Sequence, residues 1–259
     1  MPARADPPFP PGYDLGSFND GTVTRDVIRS RAPGPVVILL HEAGGINSRV
    51  MAVATTLIDA GLSPVLPVLV DKPRPTTSAV QLGRNFVGIC LAREFGAFAT
   101  NQSAPITAWL RALAEAEHGR AGGRGVGVIG MCFSGGFALA MVTLPIVQAA
   151  VVSQPGLPLP LPGRRAALTL SPEEIDTVAD RAEEGFCVRM LRYQLDFKSP
   201  GARMRWLVEI LPNASVVEIP TWNPNRHSVL ADAVGSDADS DLGRALSGTI
   251  DYLVERLLP

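Results

Sequence analysis

Short apolar runs alternate with segments of helical periodicity along most of this chain. Residues 35–40 form a continuous run of β-branched and aliphatic side chains after Pro35, and residues 125–130 form a similar run that contains glycines. Such runs are typical of strands buried on both faces. Residues 48–60 and 104–117 instead place their apolar side chains on one helical face. This alternation predicts an α/β fold, with a mostly parallel central sheet and helices on both faces.

The remaining elements follow the same patterns. Further strands are predicted at residues 21–28, 63–70, 149–153, 186–191 and 216–219. Further helices are predicted at residues 87–97, 135–147, 171–184, 202–211 and 242–258. The Pro-rich residues 1–18 show neither periodicity, so we expect an extended N-terminal arm followed by a single α/β domain over residues 19–259.

Composition excludes several classes of partner. The 259 residues carry a net charge of −2 without a basic stripe, so no nucleic-acid partner is expected. No run approaches the ~18 apolar residues of a membrane-spanning helix. The three cysteines are an odd number, which favours free thiols in a reducing compartment, and we expect a cytoplasmic protein.

The segment Gly130-Met-Cys-Phe-Ser-Gly-Gly136 joins a predicted strand to a predicted helix. A nucleophile on such a turn has a strained backbone, so small residues must flank it to let the chain pass, as they do around Cys132. The start of the following helix favours a thiolate and a developing oxyanion. Two alternatives are a phosphate cradle, although no G-x-G-x-x-G or Walker-A pattern is present, and a merely buried thiol.

A cysteine nucleophile needs a base, and the chain has three histidines. His118 ends a polar helix and is most simply an exposed residue there. His41 and His227 each follow a predicted strand and therefore lie on the same sheet edge as Cys132. His227 also occupies the last place in the order nucleophile, acid, histidine that an α/β-hydrolase requires.

The acid is expected after the strand that precedes the histidine, and Asp196 occupies that position. Asp176 and Asp180 lie on a predicted helix and Asp232 lies beyond His227, so each is more simply a solvated surface charge. We therefore predict that the cysteine attacks a carbonyl, that His227 shuttles the proton, and that Asp196 fixes the imidazole tautomer.

The chain resembles the dienelactone hydrolase family in four ordered segments. They are Gly130-Met-Cys-Phe-Ser-Gly-Gly136, Leu40-His-Glu-Ala-Gly-Gly-Ile-Asn47, Asp196, and the pair His227-Ser228. The resemblance implies an α/β-hydrolase fold that hydrolyses an enol lactone or related ester without a metal or organic cofactor. The implied partner is a small-molecule ester or lactone, and we expect a monomer or weak homodimer.

The resemblance also implies roles for single residues. Glu42 would be a carboxylate that contacts the resting thiol and helps to deprotonate it when substrate arrives. The backbone N–H groups of Phe133 and Ala43 would form the oxyanion hole. Ser228 would contact the substrate.

The chain departs from the family pattern after the histidine. The family archetype has an arginine there that holds a substrate carboxylate, whereas residues 229–232 contain none. Arg74 or Arg84 could supply such a charge, and we expect Trp222, in the histidine loop, to line the pocket. The leading hypothesis is a carboxylic-ester or lactone hydrolase with Cys132 as nucleophile, and the alternative is a non-catalytic or redox-responsive thiol protein on the same fold.

Overall fold

The computed structural model describes residues 9–259, and all of its strands belong to one sheet. The strands are β1 (Tyr13–Asn19), β2 (Thr24–Ser30), β3 (Val36–Leu40), β4 (Ser63–Pro67), β5 (Val126–Met131), β6 (Val147–Ser153), β7 (Val188–Tyr193) and β8 (Ser215–Ile219). Their order across the sheet is β1-β2-β4-β3-β5-β6-β7-β8. β2 pairs antiparallel with both β1 and β4, and all the other pairs are parallel, so the carboxyl ends of β3 to β8 share one edge.

Helices cover both faces of this sheet. They are α1 (Ser48–Asp59), α2 (Ala79–Leu91), α3 (Ile106–Ala121), α4 (Gly135–Met141), α5 (Pro172–Glu183), α6 (Gly201–Ile210), α7 (Val229–Ala233) and α8 (Asp241–Leu257). Side chains of β3 alternate between the two faces: Ile38 packs among residues of α3 to α6, and Leu39 packs among residues of α1, α7 and α8. The predicted α/β-hydrolase architecture, a mostly parallel sheet with helices on both faces, is confirmed. An apolar core lies on each face of the sheet.

Three local predictions were wrong. The expected arm contains strand β1, which pairs with β2 along its whole length, and Tyr13 is buried in the core beside α1; residues 1–8 of that arm lie outside the described residues. The helix predicted at 87–97 is α2, which begins earlier, at Ala79, where the Ser78 hydroxyl accepts the N–H of Gln81 at 3.2 Å. Helix α4 ends at Met141, before the predicted 147.

The long connection after β4 and the short helix α7 matter most for the site. Helix α2 lies in the first of these segments, above the carboxyl edge of the sheet, and α7 follows directly on His227 and Ser228. Within residues 9–259, no helix combines the length and the apolar character needed to cross a bilayer.

Candidate active site

Cys132 lies directly after β5, in the backbone conformation expected of a nucleophile on a sharp turn. Its φ is +59°, a left-handed value that is uncommon for a residue with a side chain. The turn is closely packed, since a Cβ on Gly130 would lie 2.5 Å from the carbonyl oxygen of Ser134. Glycine is therefore required two residues before the cysteine.

Ser134 ties this turn to the neighbouring strand. Its side chain is fully buried, and its hydroxyl accepts the N–H of Met131 at 3.0 Å. The same oxygen lies 3.1 Å from the carbonyl oxygen of Leu40, to which its proton can be donated. The serine thus does more than provide a small side chain, because it fixes the cysteine turn against the end of β3.

Asp196 and His227 form the pair that the sequence predicted. Nδ1 of His227 lies 2.5 Å from Oδ2 of Asp196, whose side chain is almost fully buried. The other carboxylate oxygen accepts the backbone N–H groups of Lys198 at 3.0 Å and Ser199 at 3.3 Å. The carboxylate therefore acts as acceptor only, which places a proton on Nδ1 of the imidazole.

Nε2 of His227 faces the cysteine. Burial lowers the pKa of His227, but the charge of Cys132 and the hydrogen bond with Asp196 outweigh this effect. The net result is a pKa raised to about 10. Nε2 is buried and has no hydrogen bond of good geometry in the described part of the chain, although Cys132 is close enough to raise the pKa of His227. Such contacts often tighten only when substrate binds. The arrangement places a protonated imidazole beside the sulfur of Cys132.

His41, the other histidine at this edge, has a structural role. It is fully buried, and burial lowers its pKa to about 4, so the ring is neutral. Nε2 accepts the N–H of Leu69 at 3.0 Å, and Nδ1 lies 2.7 Å from the carbonyl oxygen of Glu42 and donates to it. Both ring nitrogens are therefore occupied in joining β3 to the segment after β4.

Two backbone N–H groups are available beside Cys132. Among residues 9–259, neither the N–H of Phe133 nor that of Ala43 makes a hydrogen bond. Gly156 covers the space next to them: a Cβ there would lie 3.4 Å from Sγ of Cys132 and 3.5 Å from N of Phe133. The buried Arg203 holds this loop by donating to the carbonyl oxygens of residues 155 and 158, at 2.7 and 2.6 Å.

Glu42 is placed differently from its expected contact with the thiol. Oε2 accepts the hydroxyl of Ser228 at 2.5 Å, and Oε1 accepts the side-chain amide of Gln154 at 3.1 Å. No hydrogen bond joins Glu42 to Cys132 among the described residues. Ser228 is likewise occupied by Glu42 rather than open to a substrate.

Gln154, which the sequence analysis missed, organises this part of the site. It is fully buried at the end of β6 and has a left-handed φ of +37°. Its Oε1 accepts the N–H of Val229 at 3.3 Å and the hydroxyl of Ser153, while its backbone N–H bonds the carbonyl of Leu191. One side chain thus links Glu42 to the loop that carries His227. Its only sequence signal was its place directly after a predicted strand.

A cavity of about 590 Å³ opens over Cys132 and His227. Its apolar side consists of the α2 residues Ala79, Leu82, Gly83 and Phe86, and its basic side chains are Arg49, Lys198 and Arg226. Within residues 9–259, no group of three or more His, Cys, Asp and Glu side chains is placed to hold a metal ion.

A model of the dienelactone hydrolase family matches residues 24–177, which is more than half of the chain. The chain belongs to the dienelactone hydrolase family. The matched range contains Glu42 and Cys132 and ends before Asp196 and His227, whose assignment rests on their geometry. No curated protein sequence matches the chain.

Solved structures of related proteins share the fold. A dienelactone hydrolase from Anabaena variabilis has a TM-score of 0.63 at 16% identity, covering 95% of this chain and 98% of that one. A dienelactone hydrolase-like promiscuous phosphotriesterase from metagenomic libraries has a TM-score of 0.63 at 17% identity, with 95% and 98% covered. A cold-adapted esterase from an Arctic intertidal metagenomic library has a TM-score of 0.61 at 16% identity, with 94% and 93% covered.

Three residues that the sequence led us to expect in the active-site cavity lie elsewhere. Arg74 pairs with Asp71 at 3.1 Å, and Arg84 lines a separate cavity of about 310 Å³ beside Asp71. Trp222 is 98% exposed and is not among the described residues that line the active-site cavity. These predictions failed because sequence proximity to a site does not fix the direction of a side chain.

The basic side chains of the cavity are instead those of Arg49, Lys198 and Arg226. Arg49 and Arg226 both pair with Asp232, which also accepts the hydroxyl of Tyr193 at 2.7 Å. Asp232 is therefore a half-buried part of the cavity wall, and its expected place as a solvated surface charge was wrong. In the part of the chain that the structure describes, Lys198 lines the cavity without an ion pair.

Proposed function

We propose that this protein hydrolyses carboxylic esters or lactones without a cofactor, with Cys132 as the nucleophile. The observation that carries the proposal is the joint placement of three features. Cys132 lies on a left-handed turn, His227 is held by Asp196 with Nε2 towards the sulfur, and unbonded N–H groups flank the nucleophile. Together these groups supply the nucleophile, proton carrier and oxyanion donors of acyl transfer.

In the first step, the Cys132 thiolate attacks the carbonyl carbon of the bound ester. The oxyanion that forms is held by the N–H groups of Phe133 and Ala43. When the carbon–oxygen bond to the leaving group breaks, the imidazolium of His227 gives its Nε2 proton to the departing alkoxide. The products are an alcohol and a thioester on Cys132; with a lactone, the alcohol remains part of the acyl group.

In the second step, neutral His227 takes a proton from a water molecule, which attacks the thioester carbonyl. The same oxyanion donors stabilise the second tetrahedral intermediate. Its collapse releases the carboxylic acid and restores the Cys132 thiolate beside the imidazolium of His227. Asp196 keeps Nδ1 protonated in both steps, so that Nε2 is the atom that exchanges protons.

Glu42 is proposed to act when substrate binds. In the described arrangement it is held by Ser228 and Gln154. A substrate that takes over the Ser228 hydroxyl would release one carboxylate oxygen, which could then turn towards the thiol. Glu42 and Ser228 would thus couple substrate binding to activation of the nucleophile.

The basic side of the cavity suggests that the substrate can carry a negative charge. No arginine follows His227 within residues 229–232, but Lys198 lines the cavity without an ion pair among the described residues. Arg49 and Arg226 share a single carboxylate, which leaves their cluster net positive. We propose that Lys198 takes the part that the family archetype gives to its arginine.

The three cysteines bear on the cellular compartment. Cys90, Cys132 and Cys187 are all free thiols. A catalytic thiolate and two further thiols are best preserved where disulfides are reduced, so we propose a cytoplasmic location.

Turnover by Cys132 variants tests the proposed function. Purified protein is assayed against lactones, aryl esters and thioesters, and Cys132→Ala is expected to lower kcat/KM by at least about a thousandfold. Cys187→Ala, the same change away from the cavity, is the matched control and should keep activity. Full activity in Cys132→Ala, with the circular dichroism spectrum unchanged, would show that the cysteine is not the nucleophile.

A further inference from the structure

Helix α2 carries apolar side chains in more than one direction. Only Asn85 and Ile89 are buried against the rest of the molecule. The residues of α2 divide into a buried stripe, a stripe that lines the catalytic cavity, and a stripe that faces solvent. An ordinary amphipathic helix has one apolar stripe and a polar remainder, so this arrangement needs an explanation.

The stripe that lines the cavity follows the helical repeat. Ala79, Leu82, Gly83 and Phe86 are spaced as i, i+3, i+4 and i+7, which places them on one side of the helix. Leu82 is 46% exposed and Phe86 is 48% exposed. Their apolar surface therefore remains in contact with water while it faces Cys132 and His227 across the cavity.

Apolar surface that stays wet beside a reactive group is typical of a ligand-binding wall. The free energy of removing it from water is gained only when something apolar covers it, and in this cavity the substrate is the group in place to do so. The rest of the cavity is polar or charged, with Glu42, Arg49 and Lys198 among its lining. The wall formed by α2 is thus where an apolar part of the substrate would lie.

We propose that this wall binds a hydrocarbon chain of the ester, and that Leu82 and Phe86 determine specificity for chain length. The proposal rests on the proposed ester or lactone hydrolysis and names its substrate class: esters with an aliphatic chain on the acyl or the alkoxy side. Complete burial of one methylene corresponds to about a fourfold gain in kcat/KM. Because the wall covers one side of a chain, a gain of about twofold per methylene is expected.

Two substrate series distinguish the acyl from the alkoxy side. In the first, 4-nitrophenyl esters of straight-chain acids from acetate to octanoate vary the acyl chain; in the second, alkyl acetates from ethyl to octyl vary the alkoxy chain. At least one series should show kcat/KM rising with chain length, and the series that rises identifies the side that contacts α2. Equal kcat/KM along both series would overturn the proposal.

Helix α2 provides a matched pair of variants. Leu82→Ala removes a cavity-lining leucine, and Leu91→Ala makes the same change on the same helix at a residue that is 77% exposed and outside the cavity lining. Leu82→Ala should flatten the dependence of kcat/KM on chain length, mainly through KM. Leu91→Ala should keep the wild-type dependence. Equal effects of the two variants would refute the role of the cavity-facing stripe.

Binding to Cys132→Ala separates this proposal from the proposed function. That variant is not expected to hydrolyse the esters, so their Kd can be measured by calorimetry across both series. A Kd that falls with chain length supports the wall even if no Cys132-dependent hydrolysis is found, in which case only the proposed reaction has failed. A Kd independent of chain length in both series overturns the wall even if the enzyme hydrolyses short esters.

Discussion

Replacing Gln154 by glutamate should make the stability of the protein depend strongly on pH. The change preserves the shape of the side chain but replaces its amide nitrogen, which donates to Glu42 at 3.1 Å, with a carboxyl oxygen. The new carboxyl would be fully buried beside an existing carboxylate. Burial and the like charge both raise the pKa of a carboxyl group in the folded state. If the introduced carboxyl is protonated it could still donate to Glu42, whereas in its ionised form it would repel that carboxylate.

The sign and size of the effect follow from proton linkage. A glutamate in the unfolded chain titrates near pH 4.3, so above that pH the folded variant binds more protons than the unfolded one, and its stability falls as pH rises. The loss is about 1.4 kcal/mol per pH unit until the folded-state pKa is reached. If that pKa is 7 or higher, Gln154→Glu should lose about 2 to 3 kcal/mol, relative to wild type, between pH 5 and pH 7.

Urea denaturation of the wild type and two variants at both pH values measures this loss. Gln154→Met, which removes the donor without adding a charge, is the control and should show a much smaller pH dependence. The activity of Gln154→Glu should decline over the same range, because the residue links Glu42 to the histidine loop through Val229. A destabilisation of Gln154→Glu that is the same at pH 5 and pH 7 would refute the account of this network.

Three further predictions concern the thiol, the charge of the substrate and the turn. Burial lowers the pKa of His227, but the charge of Cys132 and the hydrogen bond with Asp196 together raise it to about 10, so an imidazolium faces the sulfur at neutral pH. Iodoacetamide should therefore alkylate Cys132 faster at neutral pH in the wild type than in His227→Gln, which lacks this charge; equal rates in the two proteins would argue against the pairing. Lys198→Met should raise KM several-fold for an ester that bears a carboxylate and leave its neutral analogue unchanged, and equal effects on both substrates would contradict an anion-binding role. Gly130→Ala should lower the unfolding free energy by about 2 kcal/mol or more, because its Cβ would lie 2.5 Å from the Ser134 carbonyl oxygen; wild-type stability in a thermal melt would contradict the close packing of the turn.

The grouping of the candidate site residues was predictable because these residues follow strands. Parallel strands end at one edge of the sheet, so Cys132, Asp196 and His227 could be placed together from the order of elements alone. The hydrogen bond between His227 and Asp196 is the contact that this order leads one to expect. The parallel core strands were similarly predictable, since burial on both faces leaves a continuous apolar run.

The walls of the site were less predictable. Helix α2 is apolar on exposed as well as buried faces, and the predicted helix was displaced towards residue 97. Arg226 and Lys198 are close in sequence to predicted site residues, yet only the loop conformations turn them towards the cavity. Gln154 depends on a left-handed backbone conformation, which its residue type does not signal.

Trapping of the acyl-enzyme tests the role of Cys132 most directly. The protein is mixed with a 4-nitrophenyl ester, quenched in acid within a turnover, and analysed by intact-mass and peptide mass spectrometry. We expect a mass increase equal to the acyl group, located on the peptide that contains Cys132 and absent from Cys132→Ala. An acyl group on another residue, or rapid hydrolysis by Cys132→Ala with no adduct, would contradict nucleophilic catalysis by this cysteine.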